Sequence, residues 1–222
     1  MFLYAVALIG AILIAIMAHE VAHGYVAKLN GDPTAAMMGR LNFNPAKHFD
    51  FFGILMMLLA GFGWAKPVPV DPRNFKKYKK GVLTVSLAGV TANLILAIIS
   101  FGLLILLSLI FGNSVSDNGL GSNVYFLFGN FFVLSMTINI TLMFFNLLPI
   151  FPLDGFRVVE VLTKPNNSYV RFMRKYGIYF LLGLILFGRF FGGISIFLNP
   201  IGLYLNTMYS FAEKLIVWAL SL

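Results

Sequence analysis

His19, Glu20, Val21, Ala22 and His23 spell HExxH close to the end of an apolar run. Side chains four apart on a helix share a face, so the two imidazoles would lie one turn apart and could grip one divalent ion. Glu20, one residue along, would sit beside that ion without ligating it and could take a proton from a water. The sequence contains no cysteine. That excludes thiolate ligands, disulfides and a cysteine nucleophile, and leaves His and carboxylate to hold any metal. Zn2+, one per chain, suits this donor set, and a tetrahedral catalytic zinc with two His needs a third protein ligand. The plainer reading is a helix leaving a membrane, where polar residues are expected. Ionisable groups at membrane depth are costly, however, and a bound cation offsets that cost.

The elements that must position these residues are membrane helices. The 222 residues are 59% hydrophobic with a mean hydropathy of +0.88, too apolar for a water-soluble domain. Nothing charged occurs between Gly81 and Ser116 or between Asn118 and Leu153, and about 20 apolar residues suffice to span. Further candidates are Met1 to Ala18, a segment from about Ile178 to Gly188 and one from about Pro200 to Leu222. The expected fold is an all-α polytopic membrane protein of four to five transmembrane helices. It forms one membrane-embedded domain over residues 1–222, with a core at 5–159 and C-terminal helices at 176–222. The first apolar stretch has no basic start and no small-residue cleavage site before His19, and reads as a retained helix.

That first helix should end at the Asn30, Gly31, Asp32, Pro33 cluster. Residues from Thr34 to Asp50 mix Gly, Asn and Pro with alternating apolar positions, which predicts short extended segments. Phe51 to Gly63 is apolar but short and closes on Gly61, Gly63, Pro67 and Pro69. A re-entrant or β-hairpin-like segment is expected there. The third span should run from about Tyr125 to a break at Asn146 to Pro152.

The loops alternate in charge. Nine basic residues fall between Lys28 and Lys80, none between Ser114 and Asn123, and five between Arg157 and Lys175. By the positive-inside rule the basic loops face the cytoplasm of a multi-pass cell-membrane protein, with the site near that side. The net charge of +8 is thereby accounted for, and no nucleic-acid partner is implied.

Topology then selects the third ligand. Asp117 is expected outside, Glu213 on the last span, Glu160 in a basic segment, and Asp32, Asp50 and Asp71 in cytoplasmic loops. Asp154 follows the break at Pro149 and Pro152, which lets the chain turn and present a carboxylate at the depth of the HExxH helix end. The competing reading for Asp154 is an N-cap of the helix beginning near Phe156.

HExxH together with Asn146, Pro149, Pro152, Leu153, Asp154 and Gly155, matching NxxPxxPLDG, closely resembles the site-2 protease family of intramembrane zinc metalloproteases, in its compact branch without regulatory domains. The resemblance covers most of Ala5 to Val159. It implies hydrolysis of peptide bonds in or near transmembrane segments of membrane protein substrates, with Asp154 as third zinc ligand and Glu20 as general base. Ala88 to Asn93 look like the family's small-residue and Asn segment, with Val90 where Pro is common. Asn93 could donate to a scissile carbonyl or bridge two helices, and Asn146 has the same two readings. Asn139 reads as interhelical glue. His48 reads as a loop His bonded to Asp50, with a transient extra ligand as the sharper alternative. Gly61 to Val70 looks like a membrane-associated hairpin near the substrate path. An exposed strand within Thr34 to Val70 could hold an unwound substrate. The rivals are a zinc or proton-coupled transporter, for which repeats and dispersed polar residues are lacking, and a catalytically silent adaptor, which would not need a full ligand and base set.

Overall fold

The computed structural model describes residues 1–53, 65–111 and 120–191, together with 207, 210, 211, 214, 215, 217 and 218. In chain order the helices are α1 (Phe2–Leu29), α2 (Thr34–Met37), α3 (Pro45–His48), α4 (Tyr78–Phe111), α5 (Leu120–Leu147), α6 (Asp154–Leu162) and α7 (Ser168–Phe191). A single 3-10 turn, Pro72–Asn74, precedes α4. Among the described residues α1, α4 and α5 are long and apolar enough to cross a membrane. The expected count of four to five spans partly lies outside the described residues, as do Asp117, Glu213, most of Phe51 to Gly63 and most of the last apolar segment.

α1, α4 and α5 pack on one another as the central bundle. α1 approaches its neighbours through Ala7, Ala11 and Ala15, all buried. Small residues at spacing four let helix backbones approach closely in a bilayer. The same stripe continues to His19 and His23, which is how a helix apolar as far as Ala18 turns two imidazoles inward rather than toward lipid. The opposite faces leave large apolar side chains such as Ile9, Ile95, Ile98 and Leu109 exposed, as a lipid-facing surface requires.

α1 ends where the sequence places its breakers. Gly31 has φ 108°, its N–H donates to Lys28 O and the Asp32 N–H to Ala27 O, the two bonds of a Schellman cap. The following stretch differs from expectation. Thr34 to Asp50 forms the short helices α2 and α3 instead of extended segments, because Asn44 caps the Ala46 N–H at 3.1 Å and Pro45 stands at the first helical position, a strong start signal. Of the expected hairpin, residues 61–64 lie outside the described residues. Residues 66–70 have no regular secondary structure, with one antiparallel bridge between Phe49 and Ala65 and no strand among the described residues.

Asp32 ties this region together. It is fully buried, and its carboxylate accepts from the Thr34 N–H (3.1 Å), the Thr34 hydroxyl, the Asn74 amide (2.9 Å) and the Asp71 N–H (2.7 Å). Burial pushes the Asp32 pKa up, but these donors outweigh it and hold the carboxyl below its ordinary 3.8. A depressed carboxylate contributes stability that is present above the unfolded value and lost as pH falls through the folded one. Acid should therefore loosen the connection between α1 and α4 below pH 3.8. Asp32→Asn should remove that part of the acid sensitivity and cost about 1–3 kcal/mol at neutral pH, since one amide group faces donors. Thermal melts of both proteins from pH 3 to 7 check this, and parallel pH profiles would refute it.

Candidate metal centre

The site forms where α1, α4 and the turn after α5 converge. His19 Nδ1 donates to Asn93 Oδ1 at 2.6 Å, and His23 Nδ1 donates to the Val85 carbonyl at 2.7 Å. Both partners accept, so both Nδ1 atoms carry the proton and both Nε2 atoms present a lone pair. Those two Nε2 atoms lie 3.0 Å apart, and Asp154 Oδ2 lies 3.2 Å from each. The rings are edge-on, with centroids 4.6 Å apart.

Three acceptors therefore meet without a donor among them. Asp154 Oδ2 is buried and has no hydrogen-bond partner, a costly arrangement unless a cation sits between the three. The triangle of 3.0, 3.2 and 3.2 Å is close to the ~3.3 Å separation of neighbouring ligands around a tetrahedral zinc. His19, His23 and Asp154 thus form a group that could hold a metal ion.

Each ligand is placed by its local sequence. The turn Leu148–Leu153 redirects the chain after α5, and α6 starts at Asp154 with Leu153 in the N-cap position. Asp154 Oδ2 is directed at the two histidines, and the N-cap position belongs to Leu153 rather than to Asp154. Gly155 must be glycine. A Cβ there would overlap the Leu147 carbonyl and lie 2.6 Å from Leu148 O, so only a bare Cα lets α6 fold back this tightly. On α4, Val85, Gly89 and Asn93 are spaced four apart and form the floor under the two rings.

Asn93 is fully buried and its amide is committed. Nδ2 donates to Ala15 O (3.3 Å) and Asn139 Oδ1 (2.7 Å), while Asn139 Nδ2 donates to Ser135 O (2.8 Å). The relay from His19 through Asn93 to Asn139 fixes the tautomer of a ligating imidazole, as carboxylates and carbonyls do around metal sites. In this arrangement both Asn93 amide hydrogens are donated within the protein, which leaves neither directed at the cleft. Its bridging reading describes its bonds, and Asn139 is interhelical as expected. Asn146 spends one amide hydrogen on Leu142 O at 3.0 Å and faces the cleft.

That cleft, of ≈ 350 Å³, opens beside the ligands and is lined by Glu20, Val68, Val70, Asn146, Pro152 and Arg157 among others. Glu20 Oε2 accepts from the Val68 N–H at 2.8 Å. His48 lies apart. It is fully buried, its Nε2 bonds Asn42 O at 2.7 Å, and Asp50 accepts instead from the Gly53 N–H, so the expected His48–Asp50 bond is replaced by a backbone partner. Ser135 and Arg40 carry no sequence signal of their own, and Gly89 and Val68 stand out only as members of the Ala88–Asn93 and Gly61–Val70 segments.

A bundle of apolar helices thus carries a His, His, Asp group that could hold a metal, beside a cleft with a glutamate at its edge. Residues 7–187 match Peptidase family M50, and the chain belongs to that family. It is 41% identical over 177 residues to "Putative zinc metalloprotease YwhC" of Bacillus subtilis (strain 168), covering 79% of this chain and 77% of that protein. No solved structure matches it. Membership in a metallopeptidase family does not favour the transporter alternative.

Proposed function

We propose that this metallopeptidase cleaves peptide bonds in or next to transmembrane segments of other membrane proteins, at a site near the cytoplasmic face. The observation that carries the reading is that His19 and His23 lie on α1, itself long and apolar enough to span, and that the turn after α5, a second such helix, brings Asp154 to them. In this reading His19, His23 and Asp154 would hold one zinc, which when bound polarises a peptide carbonyl and acidifies a water. Glu20 would take a proton from a water in the cleft as that water adds to the carbonyl carbon, and deliver it to the leaving amine as the C–N bond breaks. Asn146, with one amide hydrogen uncommitted, steadies the developing negative charge on the carbonyl oxygen.

A helical substrate conceals its peptide bonds, so a local unwinding precedes cleavage. The walls formed by Val68, Val70 and Pro152 accept an extended chain. The charge alternation of the loops supports the cytoplasmic placement. The test is cleavage-product mapping on a single-span substrate reconstituted with the purified protein. The expected cut lies in the span or within about a turn of its cytoplasmic end, and substitution of Gly or Pro beside the scissile bond accelerates it. Cuts confined to the outer side or to a water-soluble domain of the substrate, or no response to helix-breaking residues, would sink the reading.

A further inference from the structure

We infer that Lys66–Asp71 is a fixed strap whose single central amide positions Glu20, so that Val68 is a positioning residue through its backbone rather than its side chain; this rests on the reading of Glu20 as the base. Pro67 and Pro69 lack N–H groups, so the Val68 amide hydrogen is the only one in residues 67–69. It is directed at Glu20 Oε2 at 2.8 Å. With one carboxylate oxygen tied in this way, rotation of the Glu20 side chain is restrained and Oε1 is left to exchange a proton. The same two prolines leave the segment with too few donors to form a ladder with a substrate strand, which separates its role from strand addition.

The strap is anchored at both ends by buried polar groups that the chemistry does not otherwise use. At its start the Lys66 N–H donates to His48 O at 2.9 Å, and buried Arg40 donates through Nη2 to Lys66 O at 2.8 Å. At its end the Asp71 N–H donates to buried Asp32. Between these anchors Val68 seats its side chain in the notch at Gly24, where a Cβ would come within 2.8 Å of Val68 Cγ1 and 2.7 Å of Leu41 Cδ2. Gly24 lies one turn beyond Glu20 on α1, so the notch that seats the valine also sets its amide against the carboxylate. Arg40, His48 and Asp32 are accounted for together as the fixings of this one hydrogen bond.

The experiment compares Val68→Pro, which deletes the amide hydrogen between two existing prolines, with a backbone ester at the same bond, made by incorporating the α-hydroxy analogue of valine, and with Val68→Ala, which keeps the amide. Zinc content, kcat and KM are read on a single-span reporter substrate with purified full-length protein. A lost hydrogen bond to a charged group corresponds to about a 10–100-fold change. Val68→Pro and the ester should lose that factor in kcat with KM within about twofold and zinc content unchanged, while Val68→Ala keeps a several-fold higher kcat than either. The ester retains the valine side chain, so it decides the matter if Val68→Pro fails to fold. Unchanged kcat in the ester, a change confined to KM, or Val68→Ala as impaired as Val68→Pro overturns the proposal. Glu20→Gln run alongside separates the two readings. If it stays active, the base assignment fails and the strap role with it; if it is inactive while the ester is not impaired, the strap alone fails.

Discussion

Glu20→Gln should retain about one zinc per chain and lose turnover by about a thousandfold, the middle of the range for a general base. The residue contributes no atom to the ligand triangle, and its carboxylate accepts from the Val68 amide, a bond that a Gln side chain can still satisfy through its carbonyl oxygen. Structure and metal content should therefore be unaltered while the capacity to accept a proton is removed. His19→Ala, His23→Ala and Asp154→Ala behave oppositely, since each takes one of the three acceptors that meet at 3.0–3.2 Å. Their zinc content falls sharply, and activity falls with it. Elemental analysis of purified protein alongside cleavage of a reporter substrate reads both quantities on each variant. Full metal occupancy in all three ligand variants would refute the centre, and undiminished turnover in Glu20→Gln would refute the base.

The His19, His23 and Asp154 group, which could hold a metal, was legible in the sequence because its spacing is set by local geometry. Four residues on a helix fix the relation of His19 to His23 whatever surrounds them, and the prolines at 149 and 152 mark where the chain after α5 must leave its helix. Asp154 could be reached by elimination, since a chain with eight acids, most of them assigned to loops, leaves few candidates. The ends of α1 and α5 followed from breaker residues for the same reason. What could not be read was the rotation of one helix against another. Asn93 and Asn146 carry the same amide, yet one faces Asn139 and Ala15 and the other faces the cleft, a difference that only packing decides. Thr34 to Asp50 was misread because alternation of apolar residues outweighed the Asn44 and Pro45 start signal. The strap at Lys66–Asp71 was beyond the sequence altogether, because its anchors Asp32, Arg40 and His48 are polar residues of a loop that nothing local marks as buried.

Gly89→Ala should weaken metal binding by more than about a hundredfold although it adds only a methyl group to a long helix. The change itself favours the helix, since alanine replaces the residue with the greatest backbone freedom, by about 1 kcal/mol. Any loss must then come from the site. A Cβ at this position would lie 2.5 Å from His19 Cε1 and 2.6 Å from both His19 Nδ1 and His23 Nε2. Neither ring can withdraw freely. His19 is held through Nδ1 by Asn93 and His23 by Val85 O, and both partners belong to the helix that carries Gly89. Relief requires breaking these bonds and turning the rings, or driving α1 away from α4, and either course scatters the three acceptors. Disturbing only the supporting bonds of a ligating histidine typically costs 10–100-fold in affinity, and direct displacement of two ligands should exceed that. Gly102→Ala is the matched control, because it lies on the same helix with nothing within 4 Å of its added methyl. Equilibration of both variants against buffered zinc, with thermal melts as a check on folding, should show a loss of more than about a hundredfold in affinity for Gly89→Ala and none for Gly102→Ala. Normal zinc affinity in a folded Gly89→Ala protein would mean that the two imidazoles do not rest on α4 when the metal is bound, and the floor built from Val85, Gly89 and Asn93 would have to be abandoned.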